Sequence, residues 1–462
     1  MKFAIGDDIG QLKVITAPRG TDSSLKTSVR ARISTYFTPD RKEPVYAVCK
    51  IDKYQGEERA GLVAVVFTSG KVKLVDTSVS PINGEGKYLL YTHASPTIHS
   101  APAIASPVVS AGVQDDILYL FRTNGEVVFY RFDGKSPSVK TVPLPGNAAA
   151  GAVFTEALVD GWPGAIAIGG EKRDLEIFES ATEEGDWKSV WKAKNVKQDK
   201  LGLEVPVYIR RVLFLGAGRG EIAGNTTAAH PRRPTTVQTS GGKYRLATGT
   251  HYSHLRIYDT AVSRRPIFTT ALTKSPILSL HLHPSTQSPS PTSTPLTVPN
   301  TPPELSTTSS PHNWIYTDSN GRFALYSSTN RREVGIYKGS TGAVNATATF
   351  SKDVVAGVGF DRYLRVYEGA GREVVVKAYI KSKGTAIVVL DGEDEVIEVE
   401  RSREEVEEEE VWEDMEEVAG GGSDERDGGE EGDFTKALVK VRRRRPRTDK
   451  EGGGSKKRRV EV

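Results

Sequence analysis

One short pattern recurs seven times between residues 1 and 390: an apolar strand, a turn, then a strand with apolar residues at alternate positions. The second strands align as GQLKVI (10–15), GKVKLV (70–75), GEVVFY (125–130), RDLEIF (173–178), SHLRIY (253–258), GRFALY (321–326) and RYLRVY (362–367). Just upstream of each lies an apolar strand: FAIG, LVAVVF, ILYLF, AIAIGG, LATGT, WIYTD and VVAGVGF. The turns hold Gly, Asp, Asn or Ser, which enter the positive-φ geometry of tight hairpins. Such self-similarity is the mark of a repeat architecture.

The anchors Leu12, Val72, Val127, Leu175, Leu255, Phe323 and Leu364 stand 41 to 80 residues apart. The shortest spacing matches the ~40–45 residues of a four-stranded propeller blade. The longer ones contain a Gly/Thr-rich stretch (216–242) and a Ser/Thr/Pro run (284–312), both expected to be surface insertions. Inner strands are expected at 45–51, 103–109, 151–159, 207–215, 277–283, 343–350 and 385–390. The last has no blade after it, and the chain begins without an inner strand for its first blade. Ring closure therefore follows, with 385–390 completing the blade that starts at Lys2 and removing the open sheet edges. The expected fold is all-β, a seven-bladed WD40-type β-propeller with a disordered charged C-terminal tail. An open array of β-meanders, or two separate β domains, is the alternative.

The net charge of +3 is a sum of unlike parts: +13 over 1–390, −19 over 391–433 and +9 over 434–462. Dense like charge repels itself and buries no apolar surface, so chain order should end near residue 390. The expected organisation is a propeller over 1–390, an acidic disordered segment over 391–433, and a basic tail with a nuclear localisation signal over 434–462. The single cysteine, Cys49, excludes a disulfide framework, and on an inner strand it reads as a buried thiol. No run approaches the ~18 apolar residues of a membrane span. The opening MKFAIGDDIG meets a Gly-Asp-Asp turn too early for a leader's apolar region. A soluble chain of a reducing compartment, with no membrane association, is expected.

Catalytic chemistry finds little support. His281 and His283 alternate on one strand, but no second pair of ligands stands at useful spacing, so no metal is expected. GAGRGE (216–221) imitates a phosphate-cradling loop, yet IAGNTTAAHPRRP after it opens no helix. The N-x-T triplets at Asn225 and Asn345 lack a secretory context. No paired acid and base or activated nucleophile is visible. The expectation is no enzyme and no cofactor.

Arginine pairs are more informative: Arg210 with Arg211, Arg232 with Arg233, Arg264 with Arg265, and Arg331 with Arg332. The last two pairs follow equivalent strands of consecutive blades and should emerge on one propeller face. There they would meet phosphates or an acidic partner surface, or else pair with local carboxylates such as Glu333. In the acidic block, EEVEEEEVWEDMEEV (404–418) places apolar residues partly at helical spacing. Either a short partner-induced helix or a solvated tail is compatible with that pattern. Beyond it, Arg442, Arg443, Arg444 and Arg445 stand ten residues from Lys456, Lys457, Arg458 and Arg459. This is the pattern of a two-part import signal read by a nuclear import receptor, with RNA attraction the competing reading.

Several stretches together resemble one family. GTHYSHLRIYDTAVSRRPI (249–267) resembles its most distinctive blade. GVGFDRYLRVYE (357–368) with KAYIKSKGTAIVVL (377–390) resembles its closing blade, and AKNVKQDKLGLEVPVYI (193–209) the segment leading into blade five. The family is that of the nucleolar WD-repeat large-subunit assembly factors: the fungal Nop-seven-associated protein and its animal WD-repeat counterparts. The resemblance implies a non-catalytic factor in the nucleus and nucleolus, a monomer within a larger complex. It implies docking on the pre-60S particle beside other assembly factors and pre-rRNA, and later removal by a AAA-type ATPase. It makes Arg264, Arg265 and Pro266 a candidate contact; Asp259 and Asp361, by their own chemistry, are expected to be turn-stabilising acceptors in the blades. A nuclear propeller adaptor, for instance a histone-binding chaperone using the acidic tract, is the alternative.

Overall fold

Strands alternating with turn residues give an all-β chain: among the described residues every regular element is a strand. The computed structural model describes residues 1–81, 87–93, 106–133, 137–159, 161–180, 186–198, 201–217, 244–283, 313–350, 354–369 and 371–394, apart from a few side chains. The expected insertions, apart from Gly216 and Ala217, almost all of the acidic segment and the whole basic tail lie outside them.

Seven antiparallel sheets each run outward from an inner strand. In blade order the inner strands are Gly384–Asp391, Val45–Tyr54, Val108–Gln114, Ala150–Val159, Ile209–Ala217, Ile277–Leu282 and Val344–Thr349. The seven sequence repeats fall on the second and third strands, from Lys2–Asp7 and Leu12–Thr16 in blade one to Val354–Gly359 and Tyr363–Glu368 in blade seven. Each inner strand packs beside that of the next blade, and the circuit closes between blades seven, one and two. Closure joins the last strand to the one that starts at Lys2, as expected, with Phe3 opposite Val389, Ile5 opposite Ile387 and Gly6 opposite Ala386. The protein is a seven-bladed β-propeller ring.

Seven apolar clusters lie between neighbouring blades. The cluster joining blades seven and one holds Phe3, Ile5, Ile15, Val358, Leu364 and Val389. Each fully buried large apolar side chain contributes about 1.5–3 kcal/mol. Because every cluster is shared, no blade owns a core, as expected of a repeat whose units bury their faces against each other.

Two details differ from expectation. Of the inner strand of blade three expected at 103–109, residues 103–105 lie outside the described residues, and the strand seen is Val108–Gln114. Pro107 has no N–H for the ladder, so pairing begins after it. Gly112 then lets Tyr119 lie against the strand, where a Cβ would stand 2.6 Å from its hydroxyl oxygen. Blade seven also gains a fifth strand: Thr21–Asp22 runs parallel to the outer strand Glu373–Tyr379, pairing with Val376 and Lys377. It covers an edge that would otherwise present unpaired backbone.

The meander assigns every connection to a face. Turns joining second to third strands share one face with connections leading into the next inner strand. Backbone bonds stitch them there: Asp8 N to Lys383 O (3.1 Å), Lys172 N to Val207 O (2.9 Å) and Phe360 N to Ala343 O (2.9 Å).

Candidate interaction surface between blades four and five

The outer strand of blade four, Trp187–Lys192, leads into a long connection reaching the inner strand Ile209–Ala217. Residues 260–267 join the third strand His254–Asp259 to the outer strand Phe268–Ala271 of blade five, and carry Arg264, Arg265 and Pro266. The two segments that resembled the family separately are bonded to each other. Lys194 N donates to Arg264 O at 2.7 Å, Arg264 Nε to Lys192 O at 2.7 Å, and Arg265 Nε to Asn195 O at 3.3 Å. Asn195 is the junction: its Oδ1 accepts from the buried Arg256 Nη1 (3.2 Å) and from Val196 N (2.8 Å), and its Nδ2 donates to Val205 O (2.5 Å). Pro266 is half-buried, and Ile267 N bonds Ile257 O to start the outer strand.

Beside this junction opens a cleft of about 1030 Å³. Lys172, Lys194, Lys197 and Arg265 stand on its walls with Asp174 and Glu204, and Val196, Val205 and Pro206 supply apolar surface. Lys172 arrives from the turn between the second and third strands of blade four, held by its bond to Val207 and by the bridge from Glu171 to Tyr208. It also borders a neighbouring cleft of about 660 Å³ that includes Asn124, Asn147 and Tyr208. Burial raises the Asp174 carboxyl above the usual carboxylate range; Arg256 and Lys192 oppose that shift and Glu204 adds to it. Four cations against two carboxylates give the lining a net positive charge.

The other arginines fall differently. Arg331 ends the turn into the outer strand Arg332–Ile336 of blade six, and its guanidinium lies 5.7 Å from the Phe268 ring centre in blade five. Both Arg331 and Arg332 are exposed. Glu333, their expected partner, is instead held by Arg322 and Tyr316, with Arg322 Nε donating to Oε1 at 2.6 Å. Arg210 and Arg211 are half-buried on the inner strand of blade five. Arg210 bonds the Tyr208 hydroxyl at 3.2 Å and lies over its ring. Asp259 and Asp361 do accept turn N–H groups, from Ala261 at 3.0 Å and Tyr363 at 3.2 Å. Asn345 donates to Gly384 O at 2.9 Å. Cys49 lies half-buried on its inner strand, and burial pushes its thiol up to about 12. Among the described residues no three His, Cys, Asp or Glu side chains gather in a metal-holding group. The basic clusters 442–445 and 456–459, Arg232, Arg233 and most of GAGRGE lie outside the described residues.

No protein-family model matches the chain. Among curated relatives, ribosome biogenesis protein nsa1 of Schizosaccharomyces pombe is 26% identical over 433 residues, covering 90% of this chain and 96% of that protein. NSA1 of Yarrowia lipolytica is 22% identical, covering 90% and 94%. Human WD repeat-containing protein 74 is 26% identical over 235 residues, covering 50% of this chain and 47% of that protein. Among solved structures, Saccharomyces cerevisiae Sqt1 aligns over 74% of this chain and 77% of that one at 12% identity, with a TM-score of 0.44. By sequence along nearly its whole length, the chain is a homologue of the fungal proteins named ribosome biogenesis protein NSA1 and, over half of it, of human WD repeat-containing protein 74.

Proposed function

We propose that the chain is a non-catalytic assembly factor of the large (60S) ribosomal subunit, docking on nucleolar pre-60S particles through its propeller. The observation that carries this reading is the alignment along 96% of a protein named for ribosome biogenesis. The blade four–five surface supports it, because exposed cations on a rigid ring suit an RNA-rich, many-partner assembly. In this reading the propeller meets other assembly factors and pre-rRNA, and Arg264, Arg265, Arg331 and Arg332 are contact residues. A AAA-type ATPase removes the factor, and the clusters 442–445 and 456–459 engage an import receptor. The acidic segment over 391–433 and the basic tail over 434–462 are proposed as appendages of the ring.

Affinity purification of the tagged full chain, with protein and RNA identification, tests the proposal. Large-subunit precursor RNA and assembly factors are the expected companions. Purification without either overturns it, and a histone-dominated, RNase-insensitive yield identifies a nuclear adaptor instead. Deleting residues 434–462 should abolish nuclear accumulation of a fluorescent fusion.

A further inference from the structure

The cleft between blades four and five carries a feature that phosphate contact leaves unused. Leu201 and Leu203, in the connection that forms one wall, are 82% and 61% exposed. Between them Gly202 has φ +77°, with open space where a Cβ would point. Backbone geometry, and not crowding, therefore requires glycine there, and the turn holds two leucines outward beside Glu204. Neighbouring exposed leucines next to a charged cleft lower in free energy when another apolar surface covers them.

We propose that this cleft, with Leu201 and Leu203 at its lip, docks a protein segment in which acidic residues flank apolar ones. The acidic side chains would meet Lys172, Lys194, Lys197 and Arg265; the apolar ones would cover the leucines and the Val196, Val205 and Pro206 wall. Charge complementarity selects the sign of the partner and steers its approach. Protein is favoured over single-stranded RNA because, among the described residues, no aromatic side chain lines the cleft to stack a base. Asn195 ties this wall to Arg256 and Val205.

The inference deepens the assembly-factor reading and rests on it, so its test is read separately. A photo-crosslinking phenylalanine analogue replaces Leu203 in the tagged full chain, with Phe350, on the opposite face and 50% exposed, as control. Cells are irradiated, and the residues joined to the adduct are sequenced by mass spectrometry. The expected adduct at position 203, absent at 350, is a protein segment with Asp or Glu flanking Leu, Ile, Phe or Val. Lys194→Glu with Lys197→Glu should reduce its yield at least fivefold, while an unchanged unfolding midpoint shows that the ring is intact. An RNA adduct, a neutral or basic segment, no adduct, or a yield indifferent to the charge reversals overturns the inference. Loss of ribosomal precursors from the wild-type purification overturns the assembly reading instead, and the chemistry of the adduct still decides this one.

Discussion

Lys13 Nζ lies 3.1 Å from Asp7 Oδ2 with both side chains shut off from water, a buried ion pair at the seam where the ring closes. The lysine also donates to Ile380 O (2.8 Å), and Ser382 Oγ donates to the same Asp7 oxygen (2.7 Å). Asp7 Oδ1 accepts from Gln11 N at 2.7 Å, shaping the turn between the two strands. Removing one member strands the other charge without water. Lys13→Met should therefore cost about 3–5 kcal/mol. Denaturant unfolding monitored by intrinsic fluorescence measures this, and a loss under 1 kcal/mol would show that the seam does not depend on the pair.

Ending the chain at residue 383 removes the strand Gly384–Asp391. It strips Ile387 and Val389 from the cluster joining blades seven and one, and Ala386 from the one joining blades one and two. It also leaves Lys2–Asp7 as an open edge. We expect aggregation, or a broad, low-temperature transition in place of a cooperative one, by size-exclusion chromatography and calorimetry.

Acid should weaken the ring through His281. Burial, aided by Arg211, pushes its imidazole down to about 4. As pH falls below the ordinary histidine value near 6.5, the unfolded chain takes up a proton that the folded ring resists. The associated stability is complete above that value and is lost between it and about 4. The ring is half-buried and not sealed, so the loss should be on the order of 1–2 kcal/mol. His281→Gln should flatten this part of the stability–pH curve relative to the parent; parallel curves would rule the residue out as the source.

Asp174 has the opposite sign. Its carboxyl is raised chiefly by burial, so the folded state holds its proton more tightly than the unfolded chain does. The cost is present at neutral pH and is relieved as pH falls. Asp174→Asn should raise the unfolding midpoint at pH 7, with the gain shrinking in acid. A lower midpoint at pH 7 would mean that attraction to Arg256 and Lys192 outweighs desolvation.

Ring architecture was legible because the second and third strands are buried on both faces, leaving runs such as VVAGVG (354–359) unmistakable. Outer strands were not. Arg332–Ile336 alternates exposed and half-buried residues and resembles any surface loop until Ala324 pairs with Ile336. The Thr21–Asp22 strand has two residues and exists only because blade seven offers an edge. At the candidate site, Arg264 and Arg265 stood out in sequence, and 193–209 only as a stretch that resembles the family. That Lys172 and Asp174 face them could not be read locally, because they come from another blade and depend on backbone bonds across the connection.

Closure of blade one has a consequence for biosynthesis. Phe3, Ala4 and Ile5, in the first strand of the ring, are made long before their partners Val389, Val388 and Ile387 in its last strand. Until residues 384–391 are made, the first sheet lacks its inner member and its edge strand has no partner on that side. The blades between can assemble on their neighbours in order, but the ring acquires its full cooperativity only when the final strand returns to the beginning. Between the first strands and the strand that completes their sheet lies nearly the whole length of the ring.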